Sequence, residues 1–151
     1  MRILQPEGWP RPPGYSNGVA ARGTLVFAAG QIGWDTDGRL HHGGLAAQTE
    51  QALRNVAVVL AEAGARPEHV VRLTWYVTDK RDYLTQRSEI GRVYRAVFGS
   101  HYPAMTLVEV AALLEEGALV EIEATAVVPD EDEGGAPPPV APPPPDERTV
   151  P

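Results

Sequence analysis

The sequence contains no cysteine, which removes several chemistries at once. A chain of 151 residues without cysteine has no disulfide, no thiolate nucleophile and no cysteine metal ligand. It also lacks any run approaching the roughly 20 apolar residues that a membrane-spanning helix needs. Its first residues, MRILQPEGWPRPPGYSNG, lack the apolar core of a signal peptide. We therefore expect a cytoplasmic protein with no membrane partner and no redox chemistry of its own.

Clustered positive charge is scarce as well. Residues 1 to 128 hold 14 acidic and 12 basic side chains. Affinity for nucleic acid rests mainly on clustered Lys and Arg, so no nucleic-acid partner is predicted. The glycines form no phosphate-binding loop or dinucleotide-binding pattern, and we predict no cofactor. The pair His41 and His42 lacks a third ligand at helical spacing, which favours a solvated loop over a metal site.

Composition divides the chain into two parts. Residues 1–128 have the mixture expected of one folded domain. Residues 129–151 hold nine of the 15 prolines and six acids, with almost nothing to bury. We predict a disordered or polyproline tail there, and a solubilising extension is favoured over a docking motif.

Hydrophobic periodicity in residues 1–128 predicts an α+β fold. The predicted order is a strand at 24–34, a helix at 43–65, a strand at 69–79, a helix at 84–98, and strands at 105–113 and 119–128. A hairpin beginning near Val19 is a further prediction. Two helices cover only one face of such a sheet.

The other face is predicted to be an oligomer interface that also holds polar groups. Alternation places Glu121 and Glu123 together on one side of the last strand, and we assign Met105, Leu107 and Glu109 to the same surface. A mixed surface of this kind is typical of symmetric oligomers. A carboxyl near apolar side chains has a raised pKa and can act as a general acid or base. The alternative is a solvated strand glutamate, or one paired with a base such as Arg72.

Several stretches of residues 14–128 resemble one family. They are GYSNGV, AAGQIGWDTDGRL, QTEQALRNVAVVLAEAGARPEHVVRLTWYVTD, YRAVFGSHYPAMTLVEVAAL and VEIEATAVV. In this order and spacing they resemble the RidA (YjgF-like) enamine/imine deaminase family. The resemblance implies a chorismate mutase-like α+β fold, with a mixed sheet and two helices on one face. It also implies a homotrimer around a barrel-like centre, with small-molecule clefts between subunits.

The resemblance assigns site residues and shows where this chain departs from the family. It implies an arginine after the PA of the penultimate strand, which grips the substrate carboxylate, and this chain has Met105 there. A thioether offers neither charge nor N–H to an anion. Gly91 replaces the family's asparagine, and Leu107 replaces its small or thiol residue. Tyr15, Gly30 and Glu121 match the family, in which the glutamate positions the hydrolytic water.

Two functions follow from this pattern. The first is hydrolysis or tautomerisation of an enamine, imine or related reactive metabolite, with Glu121 activating water and Tyr15 orienting it. The alternative is a non-catalytic binding trimer whose apolar cleft is lined by Met105, Leu107 and Trp34. Met105 itself leaves three interpretations: a ligand without an α-carboxylate, an anion grip supplied from elsewhere in the pocket, or no catalysis.

Overall fold

The computed structural model describes residues 1–130, so the predicted tail at 129–151 lies almost wholly outside the described residues. Six strands and three α-helices follow one another in this part of the chain. Their bounds are β1 Arg2–Leu4, β2 Gly18–Ala20, β3 Thr24–Gln31, α1 Gly44–Ala61, β4 Val70–Val77, α2 Lys80–Thr85, α3 Arg87–Phe98, β5 Ala104–Glu109 and β6 Val120–Val128. None of these helices is long and apolar enough to cross a membrane.

Four strands form one mixed sheet in the order β3-β6-β4-β5. The β4–β5 pair is parallel, and the β3–β6 and β4–β6 pairs are antiparallel. A parallel pair needs a crossover connection, and α2 and α3 supply it. Helix α1 packs on β3, β6 and α3, so the helices share one side of the sheet. The predicted α+β class is confirmed.

The core lies between the helices and this sheet face. Every third or fourth residue of α1 is buried, from Leu45 through Leu53 and Val56 to Leu60. Alternate residues of β4 and β6 meet this stripe from the sheet, as period two requires. Those with little or no exposure are Leu73, Trp75, Val77, Val120, Ile122, Ala124 and Ala126. Glu121 and Glu123, on the other side of β6, share one face as predicted.

Two sequence predictions about elements were wrong. The strand containing Val19 pairs with β1, Ile3 opposite Val19, and forms a separate two-stranded sheet instead of a hairpin with β3. The helix predicted at 84–98 begins earlier and is two helices that meet at Gln86. The Asp79 carboxylate caps α2 by accepting hydrogen bonds from the backbone N–H groups of Arg81 and Asp82, at 2.8 and 3.0 Å. This cap ends β4 and begins a new helix within three residues.

A buried glutamine ties α1 to the segment that leads into β6. Gln48 is 3% exposed, and its Nε2 donates to the carbonyl oxygens of His41 and Gly117, at 3.1 and 3.0 Å. Its Oε1 accepts from the backbone N–H of Leu119, at 2.8 Å. All of these backbone groups lie outside regular secondary structure, so the side chain satisfies polar groups that no helix or strand partner reaches.

The opposite side of the sheet carries no helix, and we call it the open face. Phe27 is 71% exposed there and Leu25 is 60% exposed. Arg72, Thr125 and Glu123 lie on the same side and line a shallow depression with Phe27. An apolar and polar mixture of this kind agrees with the predicted interface, which remains a prediction.

Candidate functional site

A cleft that combines aromatic and charged side chains lies between helix α3 and the edge strand β5. It has a volume of about 410 Å³, and we call it the α3–β5 cleft. Helix α3 contributes Ile90, Gly91 and Tyr94, and β5 contributes Met105 and Leu107. Ligand clefts of small-molecule sites have volumes of roughly 300 to 1,000 Å³, so a metabolite fits here.

Strand pairing explains why Met105 and Leu107 face this cleft. In the parallel β4–β5 ladder Leu73 lies opposite Met105, and Trp75 lies opposite Leu107. Leu73 and Trp75 are buried on the helix side of the sheet, so their β5 neighbours point to the same side. Both β5 side chains are half-buried against the core. The prediction that they share a face with Glu121 was therefore wrong.

Aromatic rings form one wall of the cleft. Tyr94 stacks on Tyr102 with ring centroids 5.4 Å apart and on Phe98 at 5.3 Å, while Trp75 lies 6.3 Å away. The Tyr94 hydroxyl donates to the backbone oxygen of His101 at 2.6 Å. Burial raises the pKa of Tyr94 far above its ordinary value, so this hydroxyl stays protonated and is not a proton shuttle at neutral pH. The buried indole N–H of Trp75 has no hydrogen-bond acceptor within residues 1–130.

Tyr15 reaches the cleft because its neighbour is fixed beside the start of β5. The Ser16 backbone N–H donates to the oxygen of Pro103 at 2.9 Å, and its hydroxyl donates to the oxygen of Tyr102 at 2.5 Å. Ser16 also forms an isolated parallel bridge with Ala104. Tyr15 then lies at the cleft with 42% of its surface exposed. The structure thus brings together four predicted site residues: Tyr15, Gly91, Met105 and Leu107.

The charged groups of the cleft are all positive. Arg87 and Arg95 of α3 line it, and no aspartate, glutamate or histidine among residues 1–130 does. Burial raises the pKa of the lining Tyr83, and the positive charge of Arg87 opposes that rise, which places the guanidinium near the phenol. A single protomer therefore offers an apolar, aromatic cleft with cationic groups and no carboxyl base.

Glu121 lies on the open face instead, in contact with Gly30. It pairs with Tyr76 across the β6–β4 ladder, and a Cβ placed on Gly30 would lie only 2.0 Å from its Oε1. Only glycine leaves room for this carboxylate. The two predicted residues therefore touch each other. Within one protomer they are on the opposite side of the sheet from Met105.

The other two strand glutamates have local partners. Glu123 accepts a hydrogen bond from the Tyr76 hydroxyl at 3.2 Å. Burial raises the pKa of Tyr76 and this hydrogen bond adds to the rise. Glu109 accepts from the backbone N–H of Lys80 at 2.6 Å, at the first residue of α2. Glu109 lies opposite Val77 in the β4–β5 ladder, on the helix side of the sheet, so the prediction that it shares a face with Glu121 was wrong. Its carboxylate stabilises the N-terminus of α2.

The chain is similar to known proteins over most of its length. The family model described as Endoribonuclease L-PSP matches residues 10–128. A solved structure of a Rid family protein of unknown function from Yersinia pestis superposes with a TM-score of 0.74 and 34% identity, covering 84% of this chain and 98% of that one. The chain belongs to the RidA (YjgF-like) family.

Curated relatives of this RidA-family chain include enzymes. It is 37% identical over 114 residues to human 2-iminobutanoate/2-iminopropanoate deaminase, covering 75% of this chain and 79% of the relative. It is 35% identical over 126 residues to a RutC family protein of Pyrococcus abyssi, covering 82% and 94%.

Trp34 and the pair His41 and His42 lie away from this cleft in the RidA-family protomer. Trp34 bridges to Leu40, and its backbone oxygen accepts from the Asn55 side chain at 2.9 Å. Within one protomer Trp34 does not line the α3–β5 cleft. That it joins Met105 in a cleft between subunits remains a prediction. His41 and His42 are exposed, and residues 1–130 hold no group of three or more His, Asp or Glu that could ligate a metal.

Sequence reasoning missed both arginines of the cleft. Arg87, Gly91 and Arg95 are spaced by four, which places them along one side of α3. The spacing alone predicts that these three residues share one side of the helix. It does not predict that this side faces a cleft, because that depends on how α3 packs against β5.

Proposed function

We propose that the chain assembles as a homotrimer of the chorismate mutase-like kind and hydrolyses a small enamine, imine or related metabolite at clefts between subunits. The observation that carries the proposal is that the predicted site residues lie in two separate places on one protomer. Tyr15, Gly91, Met105 and Leu107 line one cleft, while Glu121 and Gly30 lie together on the open face. The names of the deaminase relatives support the reaction class.

A second copy of the chain joins the two halves in this proposal. Glu121 and Met105 lie on opposite sides of their own sheet, so an intact site needs Glu121 from a neighbouring subunit. The open face that would pack against that neighbour exposes the large apolar side chains Leu25 and Phe27. Burying them gives a driving force for assembly.

The reaction needs one base and one water. Water adds to the carbon of the protonated imine while Glu121 accepts a proton from the water, forming a carbinolamine. Glu121 returns that proton to nitrogen, the C–N bond breaks as the hydroxyl group gives up its own proton to Glu121 and then to the departing ammonia, and a carbonyl product and ammonium leave. Tyr15 orients the water or the nitrogen through its hydroxyl. A positioned general base of this kind contributes roughly 10²- to 10⁴-fold in rate.

Subunit complementation tests the shared site. Glu121→Gln and Tyr15→Phe should each be nearly inactive toward imines generated in situ by an amino acid oxidase. If the two groups come from different chains, unfolding and refolding an equal mixture should restore about a quarter of wild-type activity, since random assembly pairs intact halves at that frequency. No restoration, with trimers formed, would place the site within one chain. A monomer at micromolar concentration in analytical ultracentrifugation would reject the assembly.

A non-catalytic binding trimer is the second candidate. The observation that favours it is the absence of any carboxyl or imidazole among the residues lining the α3–β5 cleft of one protomer. Such a protein should show ligand-dependent thermal stabilisation without turnover. Glu121→Gln would then leave ligand affinity unchanged, whereas loss of turnover in that variant supports the enzyme.

A further inference from the structure

Helix α3 carries an arrangement of two arginines around a glycine. Arg87, Gly91 and Arg95 lie at successive positions four residues apart, and all three line the α3–β5 cleft. Gly91 has no side chain to separate the two cations. A Cβ at position 91 would lie 3.4 Å from Nη1 of Arg95, so this guanidinium extends back along the helix over the glycine.

Neither guanidinium is neutralised within residues 1–130. Four other arginines there are ion-paired, and one of them is Arg92 of the same helix, which meets Glu89 at 2.5 Å. Arg87 and Arg95 contact no carboxylate in this part of the chain. Two unpaired cations beside an apolar wall produce a positive potential that favours an anionic ligand.

The remaining lining of the cleft indicates that the part of the ligand away from its anionic group is apolar. Met105, Leu107 and Trp75 offer apolar surface on the sheet side. The stacked Tyr94 and Tyr102 rings extend that surface. A volume of about 410 Å³ exceeds what a two- or three-carbon imino acid fills.

Resting on the proposed function, we infer that Arg87 and Arg95 bind the carboxylate of the substrate. The carboxylate is then held by helix α3 and not by strand β5, where the RidA resemblance implies an arginine and this chain has Met105. The substrate class is therefore an imino or enamino acid with a large apolar or aromatic side group, which lies against Met105, Leu107 and Trp75. Arginine suits this role because its planar fork of N–H donors matches a carboxylate.

Calorimetric titration of the full chain tests the assignment without requiring turnover. The probes are phenylpyruvate, its neutral primary amide and pyruvate. Phenylpyruvate should bind more tightly than either of the others. Arg87→Gln and Arg95→Gln should each weaken phenylpyruvate binding by about 10- to 100-fold, the range for a lost hydrogen bond to a charged group, and should leave amide binding unchanged.

Arg92→Gln is the matched control, because it removes a cation from the same helix that is already paired with Glu89. It should leave all three affinities within about twofold of wild type. Adding Met105→Arg to the Arg87→Gln/Arg95→Gln variant should restore the preference for carboxylate over amide. Equal affinity for phenylpyruvate and its amide, no binding of either, or equal losses in Arg92→Gln and Arg87→Gln would overturn the inference.

The outcomes for the two proposals are separable. A wild-type protein that binds phenylpyruvate through both arginines but hydrolyses no imine contradicts the proposed function and leaves the arginine assignment in place. Full imine hydrolysis by Arg87→Gln/Arg95→Gln, with unchanged KM, contradicts the arginine assignment and leaves the proposed function in place.

Discussion

Replacing Gln48 with methionine should destabilise the fold without creating a cavity. The methionine side chain has nearly the same length, but it forms none of the three hydrogen bonds that Gln48 makes to the backbone of His41, Gly117 and Leu119. Each neutral hydrogen bond contributes about 0.5 to 1.5 kcal/mol net, so the loss should be about 3 kcal/mol. At about 4 °C per kcal/mol, the midpoint of thermal unfolding should fall by about 12 °C.

Urea unfolding at fixed protein concentration measures this change in the free energy of unfolding. Gln51→Met is the matched control on the same helix, because the Gln51 side chain donates to a single partner, the Asn55 side-chain oxygen, at 2.9 Å. Its cost should stay near or below about 1 kcal/mol. A Gln48→Met protein within about 0.5 kcal/mol of wild type, or equal to Gln51→Met, would refute the reasoning.

Three further predictions follow from single contacts. Gly30→Ala should displace the Glu121 carboxylate, since the new Cβ would lie 2.0 Å from its Oε1. We expect imine turnover to fall by about 100-fold. In a Glu121→Gln background the same change should have no further effect on turnover. Asp79→Ala removes the cap of α2 and should cost about 1 kcal/mol in urea unfolding, whereas Asp37→Ala in an exposed loop should cost less than about 0.5 kcal/mol. Burial raises the pKa of Tyr94, so the folded state holds this proton when the unfolded state has released it. Stability should therefore fall above about pH 10, by up to about 1.4 kcal/mol per pH unit for this group, and Tyr94→Phe should flatten that slope in unfolding measured from pH 8 to 11.

Local sequence patterns predicted most strand and helix positions, because an element buried on one face has apolar residues at regular intervals. The alternation of Leu73, Trp75 and Val77 identified β4, and the stripe from Leu45 to Leu60 identified α1. The pair β1–β2 was missed because Arg2–Leu4 is exposed and carries no alternation. The break at Gln86 depends on the Asp79 cap, which starts α2 several residues before the apolar repeat begins.

Sequence patterns predicted four of the residues that line the α3–β5 cleft, but neither their arrangement nor the two arginines beside them. Alternation shows that Met105 and Leu107 share a side of β5, but it does not show which side of the sheet that is. The answer comes from the parallel pairing with β4, a contact between residues about 30 positions apart. The contact between Gly30 and Glu121 is likewise non-local, and so is the orientation of Arg87 and Arg95.

The two walls of the cleft are neighbours along the chain. Helix α3 ends at Phe98 and β5 begins at Ala104, so the residues 99–103 alone join the arginine-bearing wall to the Met105 wall. This connection is held to β4 by His101, whose Nε2 lies 2.7 Å from the oxygen of Val70, in addition to the hydrogen bonds from Ser16 and Tyr94 described above. A change in its length would widen or narrow the space for a ligand side group while β3, β4 and β6 keep their pairing. In the proposed enzyme, substrate preference can thus diverge through this five-residue connection, independently of Glu121 on β6.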